Sequence, residues 1–298
     1  MSSRVTPDPD TADPVPARTA HGVPDARAAE ERAERKRDEH RELAGKQKGL
    51  SAPTVYEIIA AEGLEEMERP LSSLWWSGIG AGLGVSLSLY VMAALRASLG
   101  DTPGAGTLEK FGYCFGFLVV ILGRLQLFTE NTITPILPLL RRRESGMLRS
   151  VAQLWAVVFV ANLVGTFFAA LVPTIFPIGS PEITSAMMEI SSDFAARGYT
   201  NTFFSAIPAG FMIAALVWML PGSKGFEFWT IVLMTFAIGI TDTSHVIVGS
   251  TELFMAVLSG DSGIAEATAR LLLAGAGNIL GGTGLFALLA YAQVSKEI

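Results

Sequence analysis

Apolar residues along this chain come in long runs bounded by single charges. Arg69 to Arg96 encloses 26 uncharged residues, Arg149 to Glu182 encloses 32, Arg197 to Lys224 encloses 26 and Arg270 to Lys296 encloses 25. At about 1.5 Å of rise per residue, each run can cross a hydrocarbon core of about 30 Å as a helix. Two other apolar regions are interrupted. Lys110 to Arg124 holds only 13 uncharged residues and continues as LQLFTENTITPILPLL; Glu227 to Asp242 holds 14 and continues as TSHVIVGSTELFMAVL. The order is whole, broken, whole, whole, broken, whole. It predicts an all-α membrane protein of six transmembrane helices, with the second and fifth broken.

The order also repeats. Two halves of three spans have opposite topology, because three is odd, so the pattern reads as a 3+3 inverted repeat. Interrupted hydrophobic segments at matching positions of two halves point to a binding or conduction site near the bilayer midplane. Short motifs support the repeat: ANLVGT (Ala161–Thr166) in the third span and GNILGG (Gly277–Gly282) in the sixth. Asn162 and Asn278 are 116 residues apart, as are Thr129 and His245. Each half thereby sets an asparagine 33 residues after its break.

Composition agrees. The chain is 50% hydrophobic and 17% charged, with a mean hydropathy of +0.42, too apolar for an ordinary soluble domain. Eleven of the 22 lysines and arginines lie at or before Arg69. Residues 1–50 read as a disordered, charged cytoplasmic tail, with ARAAEERAERKRDEHRELAGK as a solvated helix. The hydrophilic start does not read as a secretory signal peptide. Residues 51–69 read as an amphipathic helix at the membrane surface. Thr54 and Glu57 have capping-box spacing, and Val55, Ile58, Ile59 and Met67 share a face. Residues 70–298 read as the six-helix transmembrane domain. Basic residues favour the cytoplasmic side, so Arg141, Arg142, Arg143 and Arg149 place their loop and both termini there. A lone cysteine, Cys114, excludes a disulfide framework and a cysteine metal site. No His/Glu metal cluster, oriented Ser–His pair or cofactor motif points to an enzyme. No cofactor, metal or nucleic-acid partner is expected.

With these residues in place, the chain resembles the formate/nitrite transporter family. LFTEN (Leu127–Asn131) is similar to that family's LFTGN-type motif. His245, with Gly239 before it, stands where the family has its lone pore histidine, and ANLVG and GNILGG resemble its third- and sixth-helix motifs. The resemblance covers about residues 70–295. It implies an aquaporin-like six-helix protomer, a homopentamer with one pore per protomer, and passage of small monovalent weak-acid anions such as formate or nitrite across the cell's inner membrane. Four departures mark a divergent branch: Gln126 and Ser244 where the family has Glu, Glu130 where it has Gly, and Gly249 where it has Asn.

The chemistry of the breaks follows from their place. Irregular backbone at membrane depth survives only where protein or a wet cavity satisfies it. Asn162 and Asn278 are candidates to bond the freed backbone groups. Thr129 or Asn131 is a candidate cap for the second half-helix, although Pro135 argues for a start near Thr134. Two half-helix N-termini facing the centre favour an anion by about 0.3–1 kcal/mol each, up to ~2 when partly buried. Full desolvation of an anion costs far more, so protonating it to a neutral acid is the physical route through an apolar constriction. His245, with Thr129 beside it, is the candidate for pore proton exchange. Leu127 and Phe128 are candidate constriction residues. Asp242, three residues before the histidine, is a candidate to hold its ring; Glu130 and Arg124 are candidate modulators that could pair. The competing reading is an aquaporin-like channel for a small neutral polar solute.

Overall fold

The computed structural model describes residues 30–32, 34–37, 49–142, 144–176 and 178–298. The expectation for residues 1–50 falls largely outside these; within it, residues 30–32 and 34–37 are helical. Arg143 also lies outside them. Residues 50–298 form one compact unit, and it is all-helical among the described residues.

In chain order the helices are α1 (Ala52–Glu68), α2 (Leu71–Leu99), α3 (Ala105–Glu109), α4 (Tyr113–Leu122), α5 (Ile136–Arg142), α6 (Ser145–Ile175), α7 (Pro181–Ala195), α8 (Tyr199–Met219), α9 (Glu227–Ile240), α10 (Val246–Ser259), α11 (Ile264–Ile279) and α12 (Leu288–Val294). A 3₁₀ turn joins α3 to α4, and a π-helical stretch, Leu280–Ala287, joins α11 to α12. Five runs are long and apolar enough to cross a membrane: Leu71–Leu99, Ala105–Leu122, Gly146–Ile175, Tyr199–Ser223 and Ile264–Val294. The sequence pattern predicts six spans. Its fifth region consists of α9 and α10, 14 residues each, and neither reaches that length alone. One element is absent from the sequence reading. α7 is an amphipathic helix with Pro181 at its N-terminus that buries Met187, Ile190 and Phe194. It falls between two charge-bounded runs, where Glu182, Glu189 and Asp193 keep it from registering as an apolar stretch.

Close approach of two helix pairs depends on glycine. A Cβ at Gly82 of α2 would strike the Asn162 carbonyl oxygen of α6; one at Gly210 of α8 would strike the Asn278 carbonyl oxygen of α11. Leu74, Leu89, Phe117, Leu127, Leu154, Ile213 and Leu216 fill the interior between these pairs. Outside, Trp76, Phe204, Trp229, Leu233 and Leu289 are exposed. So extensive an apolar exterior suits lipid or a neighbouring protein rather than water.

α1 lies against the first interrupted region. Its cap is Ser51, whose side chain accepts from the Thr54 N–H at 3.4 Å; the expected Thr54/Glu57 capping box does not form, because both residues lie inside the helix, and Glu57 meets Arg141. Val55, Tyr56 and Ile59 are buried, whereas Ile58 is exposed. The Tyr56 hydroxyl donates to the Leu137 carbonyl at 2.6 Å. Glu66 accepts from Gln126 Nε2 at 3.1 Å and from the Thr134 hydroxyl at 2.6 Å. Burial pushes the Glu66 carboxyl above its ordinary range, and these two hydrogen bonds offset part of that rise.

The folded state therefore holds the Glu66 proton more tightly than the unfolded chain does. The associated stability is fully present below the ordinary glutamate value of about 4.3 and is lost as pH rises through the folded value. Glu66→Gln keeps a polar group at the site and removes this titration. Melting temperatures of the two proteins in one detergent should diverge as pH rises from 4 to 8, with the wild type losing more. Parallel curves would refute the assignment.

Candidate functional site

The site is built where α4 and α9 stop. Both helices end in the same set of hydrogen bonds. After α4, Gly123 N–H reaches Val119 O (3.0 Å), Arg124 N–H reaches Ile121 O (3.2 Å) and Leu125 N–H reaches Val120 O (3.0 Å). After α9, Thr241 N–H reaches Ala237 O (3.1 Å), Asp242 N–H reaches Gly239 O (3.2 Å) and Thr243 N–H reaches Ile238 O (3.4 Å). This is the Schellman arrangement, whose C′ residue is left-handed and usually glycine. Here the C′ residues are Arg124 and Asp242, each with φ of 54°. A non-glycine residue held there costs about 1–3 kcal/mol.

Two residues further on, an asparagine takes over. Asn162 of α6 donates from Nδ2 to Gln126 O (2.9 Å) and Gly78 O (2.8 Å), and its Oδ1 accepts from Phe128 N–H (2.9 Å). Asn278 of α11 donates to Ser244 O (2.9 Å) and Ala206 O (2.8 Å), and accepts from Val246 N–H (2.8 Å). Each amide thus ties one residue's C=O, the N–H two positions later and a carbonyl of a neighbouring helix. The loops correspond with a shift of 118 residues: Arg124 with Asp242, Gln126 with Ser244, Phe128 with Val246. The counterpart of His245 is Leu127, not Thr129. The shift of 116 aligns the asparagines, but the first half carries two extra residues between its loop and its asparagine.

Thr129 and His245 meet each other instead. Thr129 Oγ1 lies 2.8 Å from His245 Nε2. His245 is also the N-cap of α10, and its Nδ1 accepts from Val248 N–H at 3.3 Å. Occupation of Nδ1 by a donor puts the neutral ring's proton on Nε2. The ring therefore donates to Thr129, and the threonine hydroxyl keeps its own hydrogen for another acceptor. Phe117 sets its edge against the ring at 5.1 Å. Thr129 is fully buried and His245 is 1% exposed.

The other sequence candidates fall as follows. Asn131 caps no helix; it donates to Gln126 Oε1 at 3.0 Å, and Trp155 Nε1–H donates to its carbonyl at 2.8 Å. Residues Glu130–Thr132 make one 3₁₀ turn without a side-chain cap, and α5 begins after Pro135. Pro138 sits in its first turn, where a missing N–H costs little. Leu127 and Phe128 are buried, Phe128 edge-on to Trp155 and Phe159. Asp242 does not hold the histidine. Its carboxylate meets Arg197 at 2.6 Å, and Arg197 also donates to the Asp242 carbonyl. Nor does Arg124 pair with Glu130: it is exposed and reaches Glu62 at 3.4 Å. One Glu130 oxygen is buried without a hydrogen bond.

A cavity of about 270 Å³ leads to His245. It is lined by Arg96, Lys110, Tyr113, Asp193, Arg197, Asp242, Val248, Gly249 and Glu252 among others. Arg96 is held by both oxygens of Glu109. Gly249, where the family resemblance leads one to expect Asn, faces the Phe194 ring, which leaves no room for a Cβ. Ser244 bonds Ser205 at 2.8 Å. Sequence reading missed Arg197 as a site residue because it registers only as the charge that ends a run. It missed Phe117 because nothing in the periodicity distinguishes one buried aromatic from another.

Asparagine clamps after two matched helix ends, and a buried His–Thr contact whose histidine lines a cavity, sit within an all-helical chain that has five apolar runs of membrane-spanning length. The family model described as formate/nitrite transporter matches residues 53–292, and the chain belongs to that family. It is 37% identical over 248 residues to the inner membrane protein YfdC of Escherichia coli (strain K12), covering 83% of this chain and 80% of that one. It is 22% identical over 253 residues to formate-nitrite transporter 3 of Toxoplasma gondii (strain ATCC 50611 / Me49), covering 79% of this chain and 50% of that one. Among solved structures, an FNT family ion channel superposes with a TM-score of 0.70 at 19% identity, covering 80% of this chain and 98% of that one. A pentameric formate channel with formate bound gives 0.63 at 16%, covering 76% and 98%.

Asn278→Ala leaves Val246 N–H, Ser244 O and Ala206 O without these partners. Each unmet buried group costs about 1–3 kcal/mol, so the variant should unfold several degrees lower in detergent. Asn278→Asp restores only the acceptor and should recover less than full stability. A melting temperature of the alanine variant within error of wild type would show that the clamp carries no stability.

Proposed function

We propose that the chain forms a pore for small monovalent weak-acid anions of the formate and nitrite class, which cross the centre as neutral acids. The observation that carries this reading is the buried Thr129–His245 contact, whose histidine lines the cavity. A ring that donates from Nε2 polarises the threonine hydroxyl, and that hydroxyl is free to donate to a substrate oxygen. This gives the acid a hydrogen bond at its most desolvated point, where an anion would meet the full cost of leaving water. Leu127, Phe128 and Phe117 supply the apolar surround. Proton exchange at the ring itself is disfavoured, since its Nδ1 already accepts a backbone hydrogen.

In this reading α4 with α5, and α9 with α10, are the broken second and fifth helices of a 3+3 inverted repeat. The matched helix ends, 118 residues apart, and the asparagine clamps, 116 apart, support it. The N-terminal tail, the helix of 51–69 and both chain ends lie on the cytoplasmic side, as the Arg141 and Arg142 end of α5 favours. Family membership and the bound formate of one structural relative support the substrate class; that relative's pentameric state supports a homopentamer. The name of the Escherichia coli relative supports the inner membrane as location.

Liposome flux of formate, nitrite, hydrosulfide, lactate and glycerol at two pH values tests the reading. Formate and nitrite should pass, faster at the lower pH. His245→Phe keeps a ring of similar bulk and should abolish this flux. Thr129→Val removes one net hydrogen bond worth about 0.5–1.5 kcal/mol and should slow it roughly two- to tenfold. Passage of glycerol alone would favour the neutral-solute reading. Unchanged flux in correctly folded His245→Phe would remove the pair from the mechanism.

A further inference from the structure

If substrates cross as neutral acids, a proton donor must stand on the approach, and the central pair is poorly suited to the task. Giving up the Nε2 proton from a neutral ring would leave an imidazolate. Holding a second proton would require Nδ1 to release Val248 N–H. One other titratable group lines the same cavity and has no role in the site so far. Glu252 is 6% exposed on α10. Among the described residues no hydrogen bond or ion pair within 4.0 Å holds its carboxyl. It stands seven residues after His245. His245 caps the helix and Glu252 lies about two turns along it, and both line the cavity. Val248 and Gly249 lie between them on the cavity wall.

We propose that Glu252 is the proton donor of this pore, protonating the weak-acid anion in the cavity before it reaches Thr129 and His245. In the transfer, the O–H bond of the Glu252 carboxyl breaks and an O–H bond to the anion's oxygen forms. The products are a Glu252 carboxylate and the neutral acid. The carboxylate then takes a proton from water in the cavity, and the hydroxide left behind is neutralised by a proton from the bulk solution on the entry side, so that each anion crosses with one bulk proton. A carboxyl group suits this exchange because it can give a proton to an anion's oxygen and take one back from water over a hydrogen bond.

The surroundings fit a group that must tolerate charge for a moment. Lys110 and Arg197 act on it with positive charge, Asp242 and Glu109 with negative charge. Arg96 and Asp193 line the same cavity, as does the Tyr113 hydroxyl. The cations are themselves engaged: Arg197 with Asp242, and Arg96 and Lys110 with Glu109. Glu252 is thus the carboxyl of this lining without a cation bound to it, and so is free to exchange its proton.

The proposal rests on the weak-acid reading above, and the experiment separates the two. Formate flux into liposomes is followed from pH 5 to 8 for wild type, Glu252→Gln and Glu252→Asp. In the Gln variant only formic acid already formed in bulk water can enter. Its flux should fall about tenfold per pH unit and lie about a hundredfold below wild type at pH 7.5. Glu252→Asp keeps a carboxyl and should restore the shallower wild-type profile. A Gln variant with wild-type flux and pH profile overturns the proposal and leaves the weak-acid reading intact; wild type with no formate flux overturns both. Should the Gln variant fail to fold, infrared difference spectra of wild-type protein in lipid decide. Formate addition should bleach a protonated-carboxyl band that Glu252→Asp shifts; no such bleach counts against the proposal.

Discussion

Backbone N–H and C=O groups buried away from water must find partners, and this structure is organised around two places where a helix cannot supply them. α4 and α9 stop in exposed turns, and the chain then enters the interior at Gln126 and Ser244. The last carbonyls of both helices turn back on Arg124, Leu125, Asp242 and Thr243, and the next unpaired groups fall to Asn162 and Asn278. A primary amide is well matched to the task. It offers two donors and an acceptor in one plane, so it can bridge a C=O, an N–H two residues later and a neighbouring helix. The glycines at 82 and 210 follow from the same need, since α2 and α8 must come close enough to the asparagine-bearing helices for those bonds to close.

Because the loops are held rigidly, their tips can be set against each other. Thr129 from one half and His245 from the other meet across the interior. The histidine has three roles at once: it caps α10, donates to Thr129 and lines the cavity. The cap determines the tautomer, and the tautomer determines what the ring can do. It is a hydrogen-bond donor of fixed direction, which is less than the proton shuttle that a histidine in this place suggests at first. Glu252 lines the same cavity from α10, and in the route proposed above it supplies the proton.

Much of this was legible in the sequence, and the illegible part has physical causes. Charge-bounded runs and the recurrence of ANLVG and GNILGG mark the helices and single out Asn162 and Asn278. They do not give the loop register, since a two-residue difference between the halves leaves the asparagine spacing intact while exchanging Leu127 for Thr129 opposite His245. Charge partners were read wrongly for the same reason. Arg124 and Asp242 are close in sequence to Glu130 and His245. Their left-handed backbone turns them instead to Glu62 and Arg197, on elements that no local pattern connects. Helix α1 starts at Ala52 with Ser51 as its cap, so Thr54 and Glu57 lie inside it, and Glu57 pairs with Arg141. α7 was hidden because its serines, threonines and three acidic residues break up any apolar run, although one face is buried.

The central claim is that hydrogen bonding from the α10 backbone fixes His245 as a neutral donor to Thr129. Nitrogen-15 NMR of ring-labelled histidine in the lipid-reconstituted protein at pH 7 reads this directly, with His245→Phe assigning the signal. The account predicts a protonated Nε2 and a bare, hydrogen-bonded Nδ1. An imidazolium, or a ring with its proton on Nδ1, would contradict it.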